Sequence, residues 1–107
     1  MRKHNLAFID IETTGLDLQK HEIVEIGCII TTPNFDIIEE FSLKIKPEHI
    51  ETADSVSLKI SHYDEKLWGS AETLGKAMKI FSKKVEGCIM VGHNVAFDFS
   101  FLEYAYS

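Results

Sequence analysis

The chain has 107 residues, of which 45% are hydrophobic and 26% charged, enough for one globular domain with its own core but not for two. Its formal net charge of -6 argues against a protein that coats nucleic acid by neutralising phosphates, but not against an enzyme that reaches phosphate through bound cations. No apolar run approaches the ~20 residues of a membrane span, and the N-terminus lacks the apolar region of a signal peptide. We therefore expect a single domain over residues 1–107, in the cytoplasm and without a membrane partner.

The first strand is predicted over residues 5–12, with apolar residues on both faces, as in a central strand covered on each side. It ends in two acidic residues, Asp10 and Glu12. Alternation of side chains puts both carboxylates on the same face, roughly 6 to 7 Å apart along the strand. Two like charges are costly to desolvate together unless a cation lies between them, and oxygen ligands suit a divalent metal. The segment therefore predicts half of a metal site.

Two further strands are predicted, over residues 22–32 and 37–46, with a turn at Pro33 and Asn34 between them. The third strand alternates apolar and polar residues, so we expect one buried face and one wet face, as at the edge of an antiparallel meander. Cys28 and Cys88 fall in predicted strands without the spacing of metal ligands, which indicates buried, reduced thiols.

The second half of the chain is predicted to alternate helix and strand. Residues 48–70 are polar and mixed, with short helices expected near 53–60 and 64–68. An amphipathic helix over 71–85 precedes a buried strand over 88–91, and this helical crossover makes the strand parallel to the first. A last helix over 95–106, with Asn94 as its N-cap, is apolar around nearly its full circumference. We expect its uncovered aromatic residues to promote self-association.

Asp98 lies in the first turn of that last helix, directly after the strand predicted to run parallel to the first. Sites in such sheets gather at the carboxyl ends of the strands, so Asp98 is expected to meet Asp10 and Glu12 as a catalytic and metal-binding group. Three acids at one point could hold two divalent cations, which orient a phosphodiester and activate water. Phosphodiester hydrolysis is therefore the leading chemistry.

Three segments together resemble a known family: FIDIETTGLD at residues 8–17, IVEIG at 23–27 and GHNVAFD at 92–98. They are similar to the first two exonuclease motifs of the DEDD-type, DnaQ-like 3'-5' exonucleases, the proofreading family with a ribonuclease-H-like fold. The resemblance implies an α/β fold with three antiparallel strands, a parallel fourth strand and flanking helices, and a further C-terminal part beyond these residues.

The same resemblance implies hydrolysis at DNA 3' ends with two Mg²⁺ or Mn²⁺ ions. Asp10 would bridge both metals, Glu12 would bind the metal on the nucleophile side, and Asp98 would bind the second metal. The implied partners are a single-stranded or frayed 3' end of DNA and a DNA polymerase subunit.

Residues implied to bind the substrate surround these acids. Thr13 and Thr14 would meet the terminal nucleotide by backbone or hydroxyl, and Leu16 would pack against its base. The strand-binding side would be lined by His93, Asn94 and Phe97. A further element of the family, after the third strand, is matched poorly, with His62 as a weak candidate, and the histidines at 4, 21 and 49 are expected to be solvated.

The family's third motif, H-x-x-x-x-D, supplies the general base and a fourth acid, and the resemblance places it beyond Ser107. A general base contributes about 10² to 10⁴ in rate, so we expect these 107 residues alone to be inactive or nearly so. Two alternatives stay open. The chain could be a non-catalytic remnant that binds metal, nucleic acid or a polymerase, or it could belong to an exoribonuclease whose substrate is RNA.

Overall fold

The computed structural model describes residues 4–92 and 95–106, which build a four-stranded sheet with helices on one face. The strands occur in the order β3-β2-β1-β4 across the sheet. β1 pairs with β2 and β2 with β3 in antiparallel fashion, whereas β4 is parallel to β1. The strands are β1 Leu6–Thr13, β2 Ile23–Thr31, β3 Ile37–Lys44 and β4 Ile89–Gly92. The predicted fold class, with a parallel fourth strand beside the first, is confirmed.

The helices follow the predicted order. They are α1 Ser55–Ile60, α2 Leu74–Lys84 and α3 Val95–Tyr106, with 3-10 turns at Ile50–Thr52 and Leu67–Ser70. The carboxylate of Asp54 caps α1 and the hydroxyl of Thr73 caps α2, each accepting a hydrogen bond from a backbone N–H of the first turn. None of the helices in the described part of the chain is long and apolar enough to cross a membrane.

The hydrophobic core lies between one face of the sheet and the helices α2 and α3. On β1 it is formed by the alternate residues Ala7, Ile9 and Ile11, all 6% exposed or less. These side chains share one cluster with Phe81 of α2 and Phe101 of α3. Since the odd-numbered side chains of β1 face the core, Phe8, Asp10 and Glu12 occupy the opposite face. The core therefore fixes which face of the sheet carries the carboxylates.

That opposite face is more open than the sequence indicates. Apolar residues on both faces of β1 predict cover on each side, yet in the described structure a groove of about 640 Å³ runs over Phe8, Asp10, Gly27 and Ser42. The prediction of cover on both faces is therefore wrong for the described residues. The groove lies beside Asp10, within the size range of small-molecule sites.

β4 also differs from its prediction. Its continuous apolar run predicts a buried strand, but Ile89 is 51% exposed and Met90 is 36% exposed. The reason is the position of the strand, because β4 is an edge strand, paired only with β1 in the described sheet. On β3, the other edge strand, Ile37 and Ile38 are likewise exposed.

Candidate active site

Two strands bring three acidic residues to one end of the open face. Asp10 and Glu12 project from β1, and Glu25 on β2 lies directly opposite Glu12 in the antiparallel register. Glu25 forms an ion pair with Lys44 at 3.5 Å, and it also accepts a hydrogen bond from Ser42 at 2.5 Å. Lys44 thus partly screens Glu25, whose negative charge still acts on Glu12.

Asp98 reaches the same place from a different element. The parallel register pairs Ile9 with Gly92, so β4 ends beside Asp10 and the following helix α3 begins there. Asp98 lies in the first turn of α3 and is 5% exposed. A carboxylate in this turn is favoured by the positive end of the helix dipole.

The pKa of Glu12 is affected by the neighbouring acidic residues. Burial raises the pKa of the Glu12 carboxyl above its ordinary value, and the negative charges of Asp10, Glu25 and Asp98 raise it further. His62, at the end of α1, acts in the opposite direction. Asp10, Glu25 and Asp98 thus all lie within electrostatic reach of Glu12.

The negative charge around Glu12 bears on whether Asp10, Glu12 and Asp98 suit a metal ion. Carboxylate oxygens are the ligands that Mg²⁺ and Mn²⁺ favour, and a divalent cation would relieve the repulsion that raises the pKa of Glu12. Within residues 4–92 and 95–106, no group of three or more His, Cys, Asp and Glu side chains is already gathered in metal-binding positions. The chemistry of the donor set fits a divalent cation, and its binding would require the carboxylates to draw closer together.

The turn after β1 carries the residues predicted to meet the substrate. Thr13 and Thr14 are buried, and their hydroxyls are used inside the protein. The Thr13 hydroxyl donates to the carbonyl of Gly15 at 2.6 Å, and the Thr14 hydroxyl accepts from the N–H of Glu22 at 2.9 Å. Leu16, in contrast, is 81% exposed. Of these predicted contacts, Leu16 is therefore the one whose side chain extends freely into solvent.

The other predicted substrate residues are in the segment that joins β4 to α3. Phe97 is partly buried and packs against the core, with its ring 4.9 Å from that of Phe101. His93 and Asn94, including the predicted N-cap, lie outside the described residues. The structure therefore gives Phe97 a clear packing role, and its contact with substrate stays a prediction.

Sequence reasoning missed Glu25 and the contacts of His21, and it named His62 only as a weak candidate. Glu25 could have been found from strand pairing, since only the register brings it opposite Glu12. His62 has φ 58°, a conformation that favours glycine, and its charge acts on Glu12. His21, predicted to be solvated, is only partly exposed, and both of its ring nitrogens contact backbone atoms. The prediction for His21 is wrong because its partners lie in other parts of the chain.

The spacing H-x-x-x-x-D also occurs twice within the chain, at His93 and Asp98 inside the GHNVAFD segment and at His49 and Asp54. The structure uses His49 and Asp54 elsewhere. His49 contacts Glu51 at 3.2 Å on the surface, and the carboxylate of Asp54 accepts from the N–H and hydroxyl of Ser57. This pair therefore does not take the place of the third motif.

Comparisons with known proteins agree with this architecture. A family model described as exonuclease, of the RNase T type, matches residues 7–107. The 3'-5' exonuclease DinG of Staphylococcus saprophyticus is 32% identical over 108 residues, which covers 96% of this chain and 11% of that protein. DNA polymerase III subunit epsilon of Treponema pallidum is 36% identical over 93 residues, covering 87% of this chain and 42% of that protein.

The fold is similar to that of solved exonuclease structures. Escherichia coli exonuclease I in complex with a dT13 oligonucleotide superposes with a TM-score of 0.84 at 17% identity, over 97% of this chain and 24% of that one. The chain thus spans less than half the length of each protein compared with it. Because the family model covers nearly all of the chain and the fold is that of its members, the chain belongs to the DEDD-type 3'-5' exonuclease family.

Proposed function

We propose that this chain carries the metal-binding half of a 3'-5' exonuclease that hydrolyses phosphodiester bonds at DNA 3' ends with two Mg²⁺ or Mn²⁺ ions. The observation that carries the proposal is the placement of Asp10 and Glu12 on the open face of β1, with Asp98 in the helix that follows the neighbouring strand β4 and within electrostatic reach of Glu12. Burial and the charge of Asp10 both disfavour ionisation of Glu12, which a structural role for these acids does not explain. A site that concentrates negative charge in this way is suited to bind cations.

In this proposal Asp10, Glu12 and Asp98 are the metal ligands. Bound divalent cations would orient the scissile phosphate and stabilise charge on the leaving oxygen. The open groove beside Asp10 has an apolar floor that includes Phe8 and Ile29. Apolar surface of this kind suits the faces of nucleobases, while the carboxylates exclude phosphates except where a cation intervenes.

DNA is the proposed substrate, because the named relatives include a DNA polymerase III subunit and the solved neighbours include an exonuclease bound to single-stranded DNA. A polymerase subunit is the proposed protein partner on the same ground. We propose that the 107 residues alone hydrolyse DNA slowly or not at all, because no general base is assigned within them and such a base is worth about 10² to 10⁴ in rate.

The metal site is tested by calorimetric titration of the chain with MnCl₂. We expect weak binding that Asp10→Ala abolishes, while Asp36→Ala, which removes an exposed carboxylate in the turn between β2 and β3, leaves the titration unchanged. Identical heats from the unmodified chain and from Asp10→Ala would refute the site.

Hydrolysis is tested with 5'-labelled DNA and RNA oligonucleotides of matched sequence. The protein is produced from the complete reading frame that encodes the chain, and the 107 residues are assayed beside it. Faster loss of DNA 3' ends, sensitive to Asp10→Ala, is the expected result. Faster digestion of RNA would identify an exoribonuclease, and metal binding without digestion of either strand would identify a non-catalytic remnant.

A further inference from the structure

We propose that His21 is a positioning residue for the proposed exonuclease site. It would hold the turn of residues 13–17 in the conformation that presents Leu16 to the base of the 3'-terminal nucleotide. The inference rests on the proposed function, and it assigns a role to a histidine that lies outside the acidic cluster.

The ring of His21 is fixed by hydrogen bonds at both nitrogens. Nδ1 accepts from the backbone N–H of Asp17 at 3.0 Å, and Nε2 lies 3.1 Å from the carbonyl oxygen of Thr52. A carbonyl can only accept, so Nε2 carries the proton and Nδ1 is the unprotonated acceptor. One neutral tautomer therefore connects the turn after β1 to the 3-10 turn that precedes α1.

The same ring packs directly on Gly15. A Cβ atom placed on Gly15 would lie 2.3 to 2.5 Å from three atoms of the imidazole, closer than real Cβ atoms approach any neighbour. A residue with a side chain at position 15 would therefore displace the ring. Glycine in the middle of the turn is explained by this close approach to His21.

Further hydrogen bonds complete the support of the turn. The backbone N–H of His21 donates to the carbonyl of Asp17 at 2.7 Å. Thr14 and Glu22 are joined by two bonds, one from the N–H of Thr14 to the carbonyl of Glu22 at 2.8 Å and one from the N–H of Glu22 to the Thr14 hydroxyl. Gly15 and Asp17 on either side of Leu16 are thus held in place, the first by packing and the second by hydrogen bonds.

The side chain of Leu16 extends from this turn into solvent. Its side chain is 81% exposed, although its neighbours Thr14 and Gly15 are buried. Displaying a large apolar side chain forgoes the free energy of its burial, which is recovered when an apolar partner covers it. A nucleobase offers such an apolar surface, and Leu16 lies only four residues after Glu12 in the chain. We infer that the rigid turn sets the distance between the base contact and the metal-bound phosphate.

The test measures binding of single-stranded oligodeoxynucleotides to the full chain in MnCl₂, by fluorescence anisotropy. One probe ends in a normal 3' nucleotide and the other ends in an abasic residue, and both carry a 3'-terminal phosphorothioate linkage that resists hydrolysis. We expect His21→Ala to weaken binding of the normal probe by about fivefold to tenfold, as expected for loss of a leucine–base contact. Binding of the abasic probe should not change.

Conservative variants separate positioning from general stability. The amide oxygen of Asn can occupy the place of Nδ1, so His21→Asn should retain most of the affinity. His21→Gln, whose amide reaches toward Thr52 instead, should not. Leu16→Ala alters only an exposed side chain, and it should reproduce the loss seen in His21→Ala with no further loss in the double variant. His49→Ala, an exposed histidine in the neighbouring segment, is the matched control.

Different failures have different meanings. If the unmodified chain binds the normal and abasic probes equally, or if His21→Ala binds the normal probe as tightly as the unmodified chain, the inference is overturned and the metal site stands. If the unmodified chain binds neither probe in MnCl₂, the proposed function fails and the inference fails with it.

Discussion

Replacing Asp10 by Asn should stabilise the metal-free protein while removing a ligand of the proposed metal site. Asp10 and Glu12 project from the same face of β1, and the charge of Asp10 raises the pKa of Glu12. At a separation of about 7 Å, two unit charges repel by about 0.6 kcal/mol at the dielectric constant of water. Asp10 is exposed and Glu12 is only partly buried, so the repulsion should be close to the value for water. We expect Asp10→Asn to raise the free energy of unfolding by about 0.6 to 1 kcal/mol.

For a domain of this size, such a gain corresponds to a rise in Tm of about 3 to 4 °C. The assay is thermal unfolding followed by circular dichroism at pH 8, in EDTA and at low ionic strength. The difference should shrink in 0.5 M NaCl, because salt screens the repulsion. Asp36→Asn, which removes an exposed carboxylate far from the site in sequence and sheet position, should leave Tm nearly unchanged.

Mg²⁺ should reverse the order of thermal stability of the unmodified chain and Asp10→Asn. A cation that binds the folded state raises the Tm of the unmodified chain, but it has lost a ligand in Asp10→Asn and should not stabilise that variant. If Asp10→Asn is less stable than the unmodified chain in EDTA, Asp10 makes a net favourable contribution to the fold. The argument from charge repulsion would then be wrong.

Three other expectations follow from the structure. Burial raises the pKa of Cys28 to about 11, so its thiol should resist Ellman's reagent at pH 8 until the protein is unfolded. The free energy of unfolding should also fall as the pH rises toward 11, because the thiol ionises more readily in the unfolded chain than in the folded one. His62→Gly should increase the free energy of unfolding by about 1 kcal/mol in urea titrations, since φ 58° is strained for residues other than glycine. The exposed Ile89 and Phe99 should cause concentration-dependent association in sedimentation experiments, reduced by Ile89→Lys; a strictly monomeric chain at high concentration would contradict this.

Much of the fold could be predicted from local patterns. The alternation in β1 predicted correctly that Asp10 and Glu12 share a face, and the helix before β4 predicted its parallel pairing. The convergence of Asp98 with Asp10 and Glu12 at one metal site stays a prediction, although the charge of Asp98 acts on Glu12. The predictions for β1 and β4 succeeded because each depends on the geometry of a single element or of one crossover.

Predictions that needed partners from distant segments did less well. The apolar run of β4 predicted burial, but exposure depends on which strands flank it in the sheet. Nothing around His21 in the sequence indicates that its ring bonds to Thr52, thirty-one residues later. Glu25 belongs to a recognisable segment, yet its position opposite Glu12 depends on the register between strands.

The sequence by itself therefore determined the family, the order of the elements and the face of β1 that Asp10 and Glu12 share. Those follow from the periodicity of each element and from motifs read along the chain. Tertiary structure alone decided that β4 has an exposed edge, that the Thr13 and Thr14 hydroxyls serve the turn itself, and that His21 supports it. These outcomes depend on packing and hydrogen bonds between segments far apart in the chain, which local patterns do not encode.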